Sequence, residues 1–209
     1  MIAQKLKCLL VLSILLGKTQ ARLFTLQKPG TSMACIMVNI DFKIEIHAMK
    51  NHHLVATKTL TTNDEGITTS GICGAPTMEL IIKFKESTFW YIAFRPPQHE
   101  PKPVAQYRGL QFLPAELFGK TVNVSTQEIF YDTQPVYQTN INDSFFCPNK
   151  YQTLYLSTNP VSGDFSFKVN VTVFSIQSQG FNIMNNEFGP QEHCAILSKP
   201  LPLPKKKVL

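Results

Sequence analysis

The residues of this chain best suited to chemistry are its cysteines. Four of the five, Cys35, Cys73, Cys147 and Cys194, fall into two sets of similar span, with 37 residues between the first two and 46 between the last two. A thiol exported to an oxidising compartment tends to pair, and an even number of cysteines at regular spacing is the usual trace of a disulfide framework. Four cysteines allow three connectivities, and spacing alone leaves all three open. A bridge closing a loop of either span would remove unfolded-state entropy worth about 4 kcal/mol.

Other reactive groups are thinly spread. Five histidines are present, but His52 and His53 are adjacent, so on a strand they would point to opposite faces; a polar turn is the expected setting. His193 abuts Cys194 and reads as the flank of a disulfide rather than a ligand. No G-x-S-x-G, H-E-x-x-H, P-loop or dinucleotide fingerprint occurs, and the carboxylates are scattered, with Asp41 and Glu45 expected on the wet side of one strand. An enzyme is not the expected reading, and nothing calls for a cofactor or a metal. Three tripeptides are acceptors for N-glycans: Asn123-Val124-Ser125, Asn142-Asp143-Ser144 and Asn170-Val171-Thr172. Two aromatic tracts, Phe89-Trp90-Tyr91 and Phe145-Phe146, suit a carbohydrate or partner surface, but large aromatics dominate β cores and packing is the expected role.

The N-terminus supplies the export signal that disulfides and glycans require. Lys5 and Lys7 precede an apolar run from Cys8 to Leu12 that resumes at Ile14 to Leu16, and Thr19 and Ala21 fit a cut after residue 21. Cleavage would remove Cys8 and leave four cysteines. The run is short of the roughly 20 residues a spanning helix needs, so a retained membrane anchor is the lesser reading. The net charge of +6 is also a terminal effect. Seven of the 20 basic residues lie in the leader (Lys5, Lys7, Lys18) or the tail (Lys199, Lys205, Lys206, Lys207), and residues 22–198 are nearly neutral. Without clustered cations inside the domain, nucleic acid is not an expected partner.

The elements that must position these groups read as strands. Val38, Ile40, Phe42, Ile44 and Ile46 alternate with polar residues up to His47, and the same period of two runs through Met78 to Phe84 and Phe165 to Val173. Fainter candidates are Phe89 to Phe94, Thr121 to Thr126, Thr153 to Leu156 and Gly180 to Met184. Only Pro114 to Phe118 suggests a helix, and five residues are too few to support one. Residues 159–164 supply turn signals before the Phe165 strand. The prolines at 96, 97, 101 and 103 mark a surface connection between two halves, each with two cysteines, or alternatively a proline-rich ligand segment. The end of the chain reads as an extended basic tail. The expectation is an all-β, antiparallel domain: a signal peptide over 1–21, an extension over 22–33, the domain over 34–195 and the tail over 196–209.

The flanks of the cysteines resemble those of the lysosome-associated membrane glycoprotein luminal domain. Ala34-Cys35-Ile36 opens an alternating strand, and Gly71-Ile72-Cys73-Gly74 precedes the Met78 strand; Ser144-Phe145-Phe146-Cys147, Gly180-Phe181-Asn182-Ile183 and Glu192-His193-Cys194 match the second half. The last segment, Phe181 to Ala195, is also similar to the V-type proton ATPase accessory subunit S1. The resemblance implies a prism-like luminal domain with bridges Cys35–Cys73 and Cys147–Cys194, glycosylated, without catalytic activity, working in endolysosomal protection or trafficking. It implies protein partners in the endolysosomal or secretory lumen, with proton-pump subunits as the alternative. The chain departs from the family pattern in lacking a spanning helix and a tyrosine sorting signal after Cys194, so the expected location is the secretory pathway: endolysosomal lumen, membrane-associated, or secreted.

Overall fold

A computed structural model describes residues 21–74, 77–85, 87–96, 104–132, 136–156 and 165–194. The leader, residues 97–103 of the proline-rich connection, the turn residues 159–164 and the tail from 195 lie outside them, and with them the readings made there.

Two sheets face each other across a common interior. The spine of the first is β2 (Ala34–Lys50), whose Ile36, Val38, Ile40, Phe42, Ile44 and Ile46 are fully buried because a period of two sends every second side chain inward. Along one side β2 pairs antiparallel with β12 (Phe165–Gln179). Its other side is shared by β1 (Arg22–Gln27), which covers the first half, and β3 (His53–Thr61), which covers the second. β10 (Ser144–Cys147) and β11 (Tyr151–Leu156) divide the free side of β12, and the short β13 (Gln191–His193) joins β10 in parallel. The second sheet runs β4 (Thr68–Ile72), β5 (Met78–Lys85), β6 (Thr88–Arg95) and β7 (Val104–Phe112), with β8 (Glu128–Tyr131) and β9 (Tyr137–Thr139) sharing the far edge of β7.

The interior is closed by aromatic side chains reaching from both sheets. Phe42 of the first meets Trp90 of the second edge-on at 4.5 Å between ring centres, and Phe112 meets Phe167 at 5.6 Å. Burying each such ring fully contributes roughly 1.5–3 kcal/mol. Gly180, just after β12, lets the sheets close here, because a Cβ at that position would collide with the ring of Phe94 on β6.

The three strong alternating segments are strands, as are Phe89 to Phe94 and Thr153 to Leu156. Others come out differently. Thr121 to Thr126 alternates because Val122 and Val124 point inward and Asn123 outward, but it is an extended loop with no ladder partner. Gly180 to Met184 is likewise loop, with only an isolated bridge from Met184 to Glu187. Pro114–Phe118 does form a helical turn (α1), continued by a 3-10 turn at Gly119–Thr121; proline in the first turn loses no needed hydrogen bond, and Pro114 and Leu117 are buried. β6 and β7, which flank the proline-rich connection in the chain, are antiparallel neighbours with Arg95 opposite Ala105. Residues 22–33, set apart as an extension, carry β1 and pair with β2 from Arg22 opposite Ile40 onward.

Candidate functional site

The cysteines occupy two different kinds of position. Cys35 on β2 is bonded to Cys73, which follows β4, with 5.9 Å between their Cα atoms, so this bridge ties the first sheet to the second. Cys147 at the end of β10 is bonded to Cys194, just after β13, at 5.1 Å. That bridge ties neighbouring strands of one sheet. His193 beside it lies edge-on against the ring of Phe146 at 5.3 Å.

The sequons sit apart from one another. Asn123 is exposed in the loop after α1. Asn142, exposed in the turn between β9 and β10, accepts a hydrogen bond at Oδ1 from Asn182 Nδ2 at 2.8 Å. Asn170 lies in mid-strand on the outer face of the first sheet, in register with Glu45 on β2, and is half-buried. Near it that face carries the pair Lys43 to Glu45 at 2.8 Å and His47 Nδ1 at 3.0 Å from Thr57 Oγ1, while Leu54 and Leu23 are exposed towards its ends. Asp41 corrects the sequence reading: it is 3% exposed, not wet, and accepts a hydrogen bond from Thr62 Oγ1 at 3.0 Å. His52 stands in the two-residue turn between β2 and β3, where Asn51 and His52 have φ of 48° and 66° as a tight hairpin needs, and His53 opens β3. Trp90 and Phe145 are buried, whereas Phe89, Tyr91 and Phe146 remain partly exposed.

The principal polar constellation was not visible in the sequence. Arg108 on β7 points inward and is 2% exposed. Its Nη1 donates to Tyr151 Oη at 2.9 Å and its Nη2 to Thr153 Oγ1 at 3.2 Å, both on β11 of the opposite sheet. Nε lies 3.4 Å from Asp132 Oδ2, and Tyr155 donates to the other carboxylate oxygen at 2.7 Å. Burial alone disfavours the guanidinium's charge, but the oxygens of Tyr151, Tyr137 and Tyr155 and the carboxylate of Asp132 outweigh it and hold Arg108 protonated. Burial pushes all three phenols above their ordinary value, against the opposing pull of Arg108. One step along the same strand, Gln106 accepts a hydrogen bond from Ser178 on β12 at 2.6 Å. The cation is enclosed by tyrosines and ties β7 to β11. The sequence signal for it was the break in alternation along Val104 to Phe112, where Gln106 and Arg108 fall on the inward phase.

Among the described residues no three His, Cys, Asp or Glu side chains gather in a way that could hold a metal ion, and no helix is long and apolar enough to cross a membrane. The two bridges and the two facing sheets define a disulfide-bonded, two-sheet β domain. The chain matches the family model "Lysosome-associated membrane glycoprotein 2-like, luminal domains" over residues 17–195 and belongs to that family. Solved structures agree in fold. The human lysosome-associated membrane protein LAMP-3 superposes with a TM-score of 0.61 at 17% identity, covering 84% of this chain and 99% of that one. The membrane-proximal domain of mouse LAMP-1 gives 0.58 at 16% (84% and 98%), and the membrane-distal domain of mouse LAMP-2 gives 0.58 at 14% (83% and 98%). No curated protein matches the chain in sequence.

Proposed function

We propose that this chain works without catalysis, as a glycosylated structural or binding protein of the lysosome-associated membrane glycoprotein type, in endolysosomal protection or trafficking. The observation that carries the reading is the family match across nearly the whole described domain. Its physical support is that buried Arg108 is engaged in tying β7 to β11, while Asn123 and Asn142 are exposed, where glycans would shield the surface. The proposed setting is the lumen of the secretory and endolysosomal pathway, or the medium.

The test is to express the chain with a C-terminal tag in cultured cells. The reading expects a mobility shift on treatment with an N-glycan-specific glycosidase and co-fractionation with endolysosomal markers or release into the medium. An unglycosylated, cytosolic product would overturn it. Recovery of proton-pump subunits from a gentle detergent extract would replace it with a pump-accessory role.

A further inference from the structure

The three sequons differ in where the fold puts the hydroxyl that follows each asparagine. Transfer of an N-glycan bonds asparagine Nδ2 to the anomeric carbon of a lipid-linked oligosaccharide, expels the lipid diphosphate with its electron pair and gives up one amide proton. To do this the transferase of the secretory lumen must grip the whole Asn-X-Ser/Thr stretch, hydroxyl and backbone included. An exposed asparagine is not sufficient. Asn123 meets the full requirement, since it and Ser125 are both exposed on a loop with no ladder partner.

Asn142 does not. It is exposed, but Ser144 is fully buried: its Oγ donates to the carbonyl of Gly189 at 3.1 Å and accepts from Gln177 Nε2 at 3.1 Å. The Ser144 backbone N–H donates to the carbonyl of Pro190 at 2.8 Å. Gly189 lies so close that a Cβ there would come 2.1 Å from the carbonyl oxygen of Asn142. Everything that covers this sequon on one side therefore belongs to the segment that runs on as β13 and is fastened at Cys194 to Cys147. Asn170 is covered in another way. Thr172 is 4% exposed and accepts from Gln152 Nε2 at 3.2 Å, and Asn170 itself is paired on both sides, opposite Glu45 on β2 and Leu154 on β11.

We propose that folding shuts Asn142 and Asn170 to glycan transfer while Asn123 stays open, and that closure of the Cys147–Cys194 bridge is the step that shuts Asn142. Strands pair within microseconds, whereas a disulfide forms over seconds to hours. Until the bridge closes, β13 is a strand of three exposed residues at the end of a sheet, and such a segment opens readily. Once it has closed, the hydroxyl and backbone of Ser144 are out of reach. Asn142 can then carry a glycan but no longer receive one, so a glycan there records how long the bridge stayed open. Asn170 has no such window, because two ladders rather than the bridge cover it. This inference rests on the proposed luminal setting and adds which sites are used and what decides it.

The test expresses the full chain in cultured cells and reads each asparagine separately, by releasing glycans with an N-glycosidase in heavy-oxygen water and measuring the labelled aspartates by mass spectrometry. In the wild type Asn123 is expected to be filled in most chains, and Asn142 and Asn170 in a minority. Cys194→Ser, which leaves the bridge unmade, is expected to bring Asn142 to a majority and to leave the other two sites where they were. Gly189→Ala reaches the same end with both cysteines present, because its Cβ cannot lie against the Asn142 carbonyl. Asn142→Thr moves the acceptor to Asn140, with the hydroxyl at an exposed turn position, and that site is expected to fill in most chains with or without Cys194. Asn142 filled in most wild-type chains, or unmoved by both changes while Asn123 is filled, would overturn the proposal. So would a joint rise at Asn142 and Asn170 in both variants, which would show general unfolding rather than a gate at one segment. A chain bare at Asn123 as well would overturn the glycosylated, luminal reading itself, and the proposal with it.

Discussion

Two parts of one interior are held together by opposite means. Around Phe42, Phe84 and Trp90 the contact between sheets is apolar, with fully buried Ile44, Ile82 and Ile92 about it. Around Arg108 it is polar, with one guanidinium reaching Tyr151 and Thr153 across the gap and Asp132 at its side. Apolar packing is tolerant of exchange as long as volume is kept, whereas a buried charge stands only while every partner is in place. The first region contributes apolar burial, the favourable term in folding, whereas the second is favourable only when Arg108, Tyr151, Thr153 and Asp132 all meet.

The sharpest way to break this contrast is to remove the charge. Arg108→Met keeps much of the volume but strands Asp132 against the Tyr155 hydroxyl, and is expected to destabilise the domain by about 3–5 kcal/mol in denaturant unfolding. Leu80→Met in the apolar region should cost less than about 1.5 kcal/mol. If the two changes cost the same, the distinction fails. Adding Asp132→Asn to Arg108→Met should recover part of the loss, because no uncompensated charge then remains.

The two bridges sharpen the comparison at the next level. Loop entropy alone makes them nearly equal, since they span 38 and 47 positions. What they hold differs. Cys73→Ser unties one sheet from the other and is expected to cost about 2–5 kcal/mol, with folding impaired. Cys194→Ser releases β13, three exposed residues, and is expected to fall at the lower end, about 2 kcal/mol, with faster amide exchange confined to residues 180–194. Global loosening of both sheets by the second change would show that entropy rather than position governs.

The smallest effect concerns Glu128, which is 5% exposed on β8 with Oε1 unpaired. Burial raises its pKa above the ordinary 4.5. The folded state therefore binds this proton more tightly than the unfolded chain, so its contribution is fully favourable below the ordinary value and is lost as pH rises through the raised one. Glu128→Gln is expected to stabilise the domain at neutral pH and to make no difference below about pH 4, as thermal melts across that range would show.

Strands were legible where inward residues are apolar without exception. β2 announces itself through five alternating apolar residues, and the strand through Phe165 is clear only to Val173, because a bulge at Phe174 reverses the phase and the inward positions become Ile176 and Ser178. β7 was hidden by Gln106 and Arg108 at inward positions. β13 and β9 are three residues each, too short for any period to show. The thiols and sequons of the candidate site could be read as residue types, but not what surrounds them.

The sequence by itself determined the β character of the chain and the identity of the groups available to it, because a period of two and the type of a side chain are local properties. Only the tertiary structure decided that Asp41 would be covered, that Arg108 would lie beneath three tyrosines, and that one bridge would join the sheets while the other joined strands within one. Each of these depends on which distant strands pair and in what register. A shift of one residue in any ladder would exchange inside for outside, and that choice is made by the packing of both sheets at once.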